Sequence, residues 1–396
     1  MPSLQRPFGM PRIFATELFC LLLAASPSVA DEKQGSQQVG MRAAWGINVV
    51  DDDVCKLAVQ MGVRDVALYG GPGAKNLLGT AQVLTKPRAE YQDYLAVRRR
   101  LESFGLRLAA IEGGFLHLPK YHDVAFGGPK RDALIQELIG EIRDMGRAGV
   151  PIYGYHWMPL LVWRTTPVQI RGGAAATAFD LDAVRHIKNL DSCKQMRDSL
   201  RWGFMTCEAL PAAGEPKYSE EDLWRNLKYW IERVTPVAEK EGIRLGIHPD
   251  DPPVAELVGL PRIMRSHAAY RRLIEIYPSD SNGIEFCQGT FSEMSEDVYD
   301  AIRYFGSRNK ILYVHFRNVS APVPKFNEEF VNTGYVDMYR AMKTHRDAGF
   351  RGVFIDDHCP TVHGDSPFPG NLGGYRSRLF ALGYIQALLE AVTKDQ

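Results

Sequence analysis

The stretch RLGIHPDDPP, residues 244–253, is a short apolar run that ends in a histidine, two aspartates and two prolines. The prolines fix φ and withdraw backbone donors, which stops a strand. His248, Asp250 and Asp251 are more chemistry than a stop requires, although a strand-end histidine is usually a satisfied polar group and Asp before Pro is ordinary turn composition. Just upstream, EDLWRNLKYWIERV (221–234) carries its apolar residues at helical spacing. A helix followed by a buried strand is half of a repeating unit, and the rest of the chain repeats it.

Seven further β-rich runs have the same character: RAAWGINV from Arg42, RDVALYG from Arg64, RLAAIEGG from Arg107, IYGYHWMP from Ile152, NGIEFCQG from Asn282, KILYVHFRN from Lys310 and RGVFIDDHC from Arg351. Amphipathic stretches such as HAAYRRLIEIY, DVYDAIRYF and YVDMYRAMKTHRDAG lie between them. Eight strand-helix units predict an α/β fold of the (β/α)8 TIM-barrel type. The runner-up is an open, doubly wound parallel sheet, but no glycine-rich dinucleotide fingerprint supports it. One connection is long. After the fourth strand, residues 160–218 include RTTPVQIRGGAAATAFDLD and a short helical segment around Cys193 to Trp202. A loop of that length in a compact domain reads as a lid over the catalytic face.

With 396 residues, 45% hydrophobic and 24% charged, the chain has ample material for a core. Lys+Arg and Asp+Glu both number 47, so no net field recommends nucleic acid or an anionic membrane as a partner, and a small molecule is the expected one. A homo-oligomer is left open. The N-terminus differs in character from the rest of the chain. Arg6 and Arg12 precede the apolar LFCLLLAA (18–25) and SPSVA (26–30), the layout of a signal peptide over residues 1–30 with a linker at 31–40 and a single catalytic domain at 41–396. The apolar run is too short to span a bilayer. This layout predicts export to the periplasm and no membrane association once the leader is removed; a cytoplasmic protein starting near Met41 is the alternative. Of six cysteines, one lies in the leader and the other five have irregular spacing. Cys193 and Cys207 could pair in an exported protein, and two buried thiols are the equal alternative.

The last four strands end in a common way. His248 closes the fifth, Cys287 the sixth, His315 the seventh and Asp357 the eighth. Adjacent strand ends share one rim in a barrel, so two imidazoles, a thiolate and a carboxylate can converge on a divalent ion such as Mn2+, Fe2+, Co2+ or Zn2+. Each residue alone could be a buried polar group or core cysteine; four in succession are harder to explain that way.

Around these residues, HPDDPP, GLPRI (259–263), NGIEFCQG, VHFRN, GYVDMYRAM and DDHCP resemble the successive motifs of the mannonate dehydratase family, as do AAIEGG, YHWMPLLVW and AFD (178–180) earlier in the chain. The resemblance implies a xylose isomerase-like barrel and a metal-dependent hydro-lyase, with Mn2+ as the first candidate ion. The reaction it implies converts D-mannonate to 2-keto-3-deoxy-D-gluconate and water in hexuronate (glucuronate) catabolism. It places His248, Cys287, His315 and Asp357 at the metal-ligand positions. The chain departs from the family at IDDHCP, where Ile355 stands in place of the usual arginine, and Tyr375 aligns with the family's catalytic tyrosine only across a gap.

Losing water from a sugar acid requires taking the proton beside the carboxylate and expelling a hydroxyl from the next carbon, so an acid and a base must sit beside the ion. His358, adjacent to a ligand, and Tyr375 are the candidates. Arg317 faces the same mouth and could clamp a carboxylate or form a rim salt bridge to Asp250 or Asp251. Glu112, His156, Trp157 and Asp250 complete the expected substrate wall; Asp250 and Asp251 are also placed to orient His248. A metal-dependent sugar isomerase or epimerase uses similar parts, and an exported, non-catalytic sugar- or metal-binding homologue is the rival from another class.

Overall fold

The computed structural model describes residues 40–70, 88–187, 189–200, 207–210, 218–365 and 374–395. The expected leader and linker, Gly40 apart, lie outside the described residues. Eight strands form the frame: β1 (Arg42–Ile47), β2 (Asp65–Tyr69), β3 (Arg107–Glu112), β4 (Ile152–His156), β5 (Arg244–His248), β6 (Asn282–Cys287), β7 (Ile311–His315) and β8 (Val353–Ile355). All neighbours are parallel, and β1 pairs with both β2 and β8. The sheet therefore closes, as the (β/α)8 reading expects, and the open-sheet alternative falls.

One principal helix covers each strand: α1 (Asp52–Gln60), α2 (Tyr91–Glu102), α3 (Arg131–Arg147), α4 (Glu220–Glu241), α5 (His267–Ile276), α6 (Val298–Gly306), α7 (Met338–Asp347) and α8 (Tyr375–Lys394). Their boundaries are written in the sequence. Asp51, Ser266, Asp297 and Asp337 each accept a backbone N–H at a helix start, and Ser219 forms a reciprocal capping box with Asp222. Gly242 ends α4 in the left-handed conformation at φ +68°. Trp45, Tyr270, Phe286, Phe291 and Trp230 belong to the apolar layer between strands and helices.

At the N-terminal mouth, Asp65 ties three strands by accepting from Arg42 Nε at 3.0 Å and Arg107 Nη2 at 2.7 Å. The barrel interior is filled by Ala44, Ala67, Ala110, Leu312 and Tyr313. Space there is tight: a Cβ on Gly154 would lie 2.0 Å from Tyr313 Oη and 2.3 Å from Glu285 Oε2. Only glycine lets those two polar groups occupy the barrel under its C-terminal rim.

Between β4 and α4, where the lid was expected, Val168–Gln169 pairs with Ala175–Ala176, and Ala178–Asp180 pairs antiparallel with Lys325–Asn327 from the loop after β7. Leu160, Trp163, Phe179, Leu257 and Phe326 gather in a second buried cluster. Cys193 and Cys207 are joined by a disulfide within it, so of the two sequence alternatives pairing is the one found. Among the described residues, no helix is long and apolar enough to cross a membrane.

Candidate active site

His248, Cys287 and His315 are the last residues of β5, β6 and β7, and Asp357 lies two positions beyond β8. The ladder between β6 and β7 pairs Cys287 directly with His315. One ligand atom from each of His248, Cys287 and His315 lies within 4.8 Å of the other two. Asp357 Oδ2 joins them at 3.4 Å from His315 Nδ1 and 3.9 Å from Cys287 Sγ.

The protonation pattern suits cation binding. His248 Nδ1 lies 2.7 Å from the Pro249 carbonyl, which can only accept, so Nδ1 donates there; burial opposes a charged imidazole, but Cys287 and Glu285 raise it to about 9, and the proton on Nε2 is the one a bound cation would displace. Burial opposes a thiolate at Cys287, but Arg317 and His248 outweigh it and bring the thiol down to about 5. The Thr290 hydroxyl donates to that sulfur at 3.2 Å. Burial likewise disfavours a charged Asp357, yet His358, His315 and Arg317 hold its carboxyl well below the usual range. His315 Nδ1 is buried and meets no hydrogen-bond partner. An orphaned imidazole nitrogen beside a stabilised thiolate and a carboxylate is a donor set that fits a divalent transition ion.

Behind the quartet lies a fully buried ion-pair network. Arg317 Nη1 is 3.0 Å from Asp251 Oδ2 and 3.7 Å from Asp357 Oδ2; Nε is 3.3 Å from Glu328 Oε2, and Nη2 donates to Glu293. Arg164 grips Asp251 with two nitrogens, at 2.5 and 2.8 Å, and reaches Glu328 Oε1 at 2.5 Å. His358 Nδ1 sits inside this network, 3.0 Å from Glu328 Oε1, 3.0 Å from Arg164 Nη2 and 3.2 Å from Arg317 Nη1. Its other nitrogen, Nε2, is 3.7 Å from Asp357 Oδ1.

Residues 68–396 match the profile of the family described as D-mannonate dehydratase (UxuA). The chain belongs to the mannonate dehydratase family. A mannonate dehydratase of Streptococcus suis (strain 05ZYH33) is 32% identical over 308 residues, covering 76% of this chain and 82% of the relative. Mannonate dehydratase 2 of Halalkalibacterium halodurans is 30% identical over 310 residues, 76% of this chain and 86% of that one. The crystal structure of the mannonate dehydratase from Streptococcus suis serotype 2 superposes with a TM-score of 0.72 at 27% identity, covering 90% of this chain and 95% of that one. A xylose isomerase domain protein from Planctomyces limnophilus, at 14% identity and a TM-score of 0.52, shares the fold. Mannonate dehydratases are hydro-lyases, so this chain is an enzyme of that class.

Glu112, the last residue of β3, places Oε2 at 2.9 Å from His315 Nε2 and accepts from the Tyr313 hydroxyl at 3.2 Å. His156 pairs with His248 across β4 and β5; its Nδ1 is buried without a partner, and its ring lies 5.9 Å from that of His117. Burial, then His117 and His248, keep this imidazole neutral. Trp157 packs on Trp230 of α4 with ring centroids 6.5 Å apart. Asp250 accepts from Arg262 Nη1 at 3.1 Å and from the Met264 amide at 2.6 Å, while His248 donates its own orienting bond to the Pro249 carbonyl. Tyr375 opens α8 with its ring edge-on to Trp45, centroids 6.1 Å apart.

Arg164, Glu285, Glu293 and Glu328 did not stand out in the sequence. Glu285 had a signal. It precedes Cys287 by two positions on β6 and so shares its face. The other three lie outside the barrel strands, where no periodicity marks an inward side chain.

Proposed function

We propose that this mannonate dehydratase family member removes water from D-mannonate to give 2-keto-3-deoxy-D-gluconate, a step in hexuronate breakdown. The observation that carries the reading is the convergence of His248, Cys287, His315 and Asp357 at consecutive strand ends in a chain of this family. Those four side chains would hold the ion, with Mn2+ first and Fe2+, Co2+ or Zn2+ as the other ions such donors suit. When bound, the ion supplies Lewis-acid stabilisation of the charge that develops next to the substrate carboxylate.

The protein's own groups do the rest. His358 and Tyr375 are assigned the two proton transfers: one removes the proton from C2, and the other protonates the hydroxyl leaving C3, after which the enol becomes the 2-keto acid. Because Nδ1 of His358 is enclosed by Glu328, Arg164 and Arg317, Nε2 is the nitrogen that exchanges the proton. Arg317 has carboxylates on Nε, Nη1 and Nη2, and its work is to hold Asp251 and Asp357 and to favour the Cys287 thiolate. His156, with an unpartnered buried nitrogen, is the wall residue best suited to receive a substrate hydroxyl. Export is proposed for the mature protein, supported by the leader-like N-terminus and by the Cys193–Cys207 disulfide, a bond that persists in oxidising compartments.

The test is to strip the protein with a chelator, reload it separately with Mn2+, Fe2+, Co2+ and Zn2+, and follow formation of the 2-keto acid from D-mannonate. Product in at least one loaded form and none in the stripped form is expected. No product in any loaded form overturns the reading.

A further inference from the structure

Directly beneath the ligand quartet, two carboxylates converge on one imidazole. His315 Nε2 lies 2.9 Å from Glu112 Oε2 and 3.2 Å from Glu285 Oε1. Glu285 is 1% exposed, deep in the barrel on the strand that carries Cys287 two positions later. Burying a carboxylate there is costly: neither of its oxygens makes a hydrogen bond among the described residues, and burial, then Glu112, push its carboxyl well above the usual range, so a protein keeps it there only for a purpose. Gly154 leaves the room for it, and the Tyr313 hydroxyl braces the neighbouring Glu112 at 3.2 Å. The opposite ring nitrogen, Nδ1, is the one that faces Asp357 and meets no hydrogen-bond partner.

We infer that Glu112, with Glu285 packed beside it, positions His315: Glu112 accepts the Nε2 hydrogen, and the two side chains together set the tautomer and ring angle and so direct the Nδ1 lone pair at the ion held with Cys287 and Asp357. This rests on the ligand assignment proposed above. A neutral imidazole has one hydrogen, and the Glu112 oxygen hydrogen-bonded to Nε2 at 2.9 Å decides which nitrogen keeps it. A carboxylate behind a metal-bound histidine also raises its basicity, and loss of such support typically weakens metal affinity about 10–100-fold. The role differs from substrate contact, the role first expected for Glu112. The competing arrangement is a second cation lodged among Glu112, Glu285 and His315, whose donor atoms also lie within 4.8 Å of one another.

Co2+ is the probe, because a cobalt–thiolate band reports Cys287 and d–d bands report coordination geometry. Wild type, Glu112→Gln/Glu285→Gln and Glu112→Ala/Glu285→Ala, all as full chains, are titrated against a competing chelator, and bound cobalt per chain is counted. The inference expects one ion per wild-type chain, affinity about 10–100-fold weaker with altered d–d bands in the alanine pair, and recovery to within a few-fold in the glutamine pair, which keeps acceptor oxygens. Nitrogen NMR of the histidines in Zn2+-loaded wild type gives a second reading that needs no variant: His315 should carry its hydrogen on Nε2. An alanine pair that binds cobalt like wild type, a hydrogen on Nδ1, or a second wild-type ion that the alanine pair loses each overturns the inference while leaving the ligand assignment standing. A wild type with no thiolate band removes both.

Discussion

Arg164, in the segment after β4, holds Asp251, three residues past the end of β5, by both terminal nitrogens, Nη1 to Oδ1 at 2.5 Å and Nη2 to Oδ2 at 2.8 Å, and neither side chain has exposed surface. This pair fastens the long β4 connection to the rim that carries His248. Removing Arg164 leaves the buried carboxylates Asp251 and Glu328 to share Arg317 as their remaining arginine. Arg164→Met should therefore destabilise the protein by about 3–5 kcal/mol in urea unfolding. A loss under about 1 kcal/mol would mean that the network is open to water and supports nothing.

The two assigned proton-transfer groups can be separated from the ligands. Tyr375→Phe keeps the edge contact with Trp45 and deletes only the hydroxyl. His358→Asn removes the ring nitrogens near Asp357 and Glu328. Each substitution should lower kcat by about 10²–10⁴-fold, with the bound-metal content of wild type retained. Parallel loss of metal and turnover would instead make the residue a support of the ligand shell.

A pH dependence of stability is built in away from the site. Glu141 on α3 is fully buried, and its Oε1 accepts from the Tyr94 hydroxyl at 2.5 Å. Burial, only partly offset by that bond and by Arg88, pushes its carboxyl from 4.5 up to about 7. The folded state thus binds this proton more tightly than the unfolded chain. The contribution is fully present below about pH 4.5 and is lost as the pH rises through about 7, by at most about 3 kcal/mol. Urea unfolding at pH 5 and pH 8 should show Glu141→Gln losing less stability across that interval than wild type. Parallel losses in the two proteins would remove Glu141 as the cause.

The Cys193–Cys207 disulfide closes a loop with a sequence separation of 14. A link of that span restricts the unfolded chain by about 3 kcal/mol. Cys193→Ser/Cys207→Ser, compared with the oxidised wild type in denaturant, should unfold at a correspondingly lower concentration. An unchanged midpoint would show that the link adds nothing to global stability.

The strands were legible because each is an apolar run framed by turn residues, and because one face of each ends at the rim. That reasoning singled out His248, Cys287, His315 and Asp357, which the structure brings together. Their support was harder to read. Arg164 and Glu328 are 164 positions apart, and both lie in connections without a repeating pattern, so only the closed barrel brings them together. Asp250 looked like the natural partner of His248, yet the backbone of Pro249 meets that need and Asp250 is taken by Arg262. Glu285 was within reach of the alternation rule, two residues from Cys287, but sits inside NGIEFC among residues that read simply as a buried strand.

The most direct test of the account is mass spectrometry of Mn2+-loaded protein incubated with a panel of aldonic acids that includes D-mannonate, beside an Asp357→Ala control. The account predicts that D-mannonate loses one water in the wild-type reaction and is unchanged with the variant. Unchanged masses for every acid, with metal occupancy verified in the wild type, would contradict it.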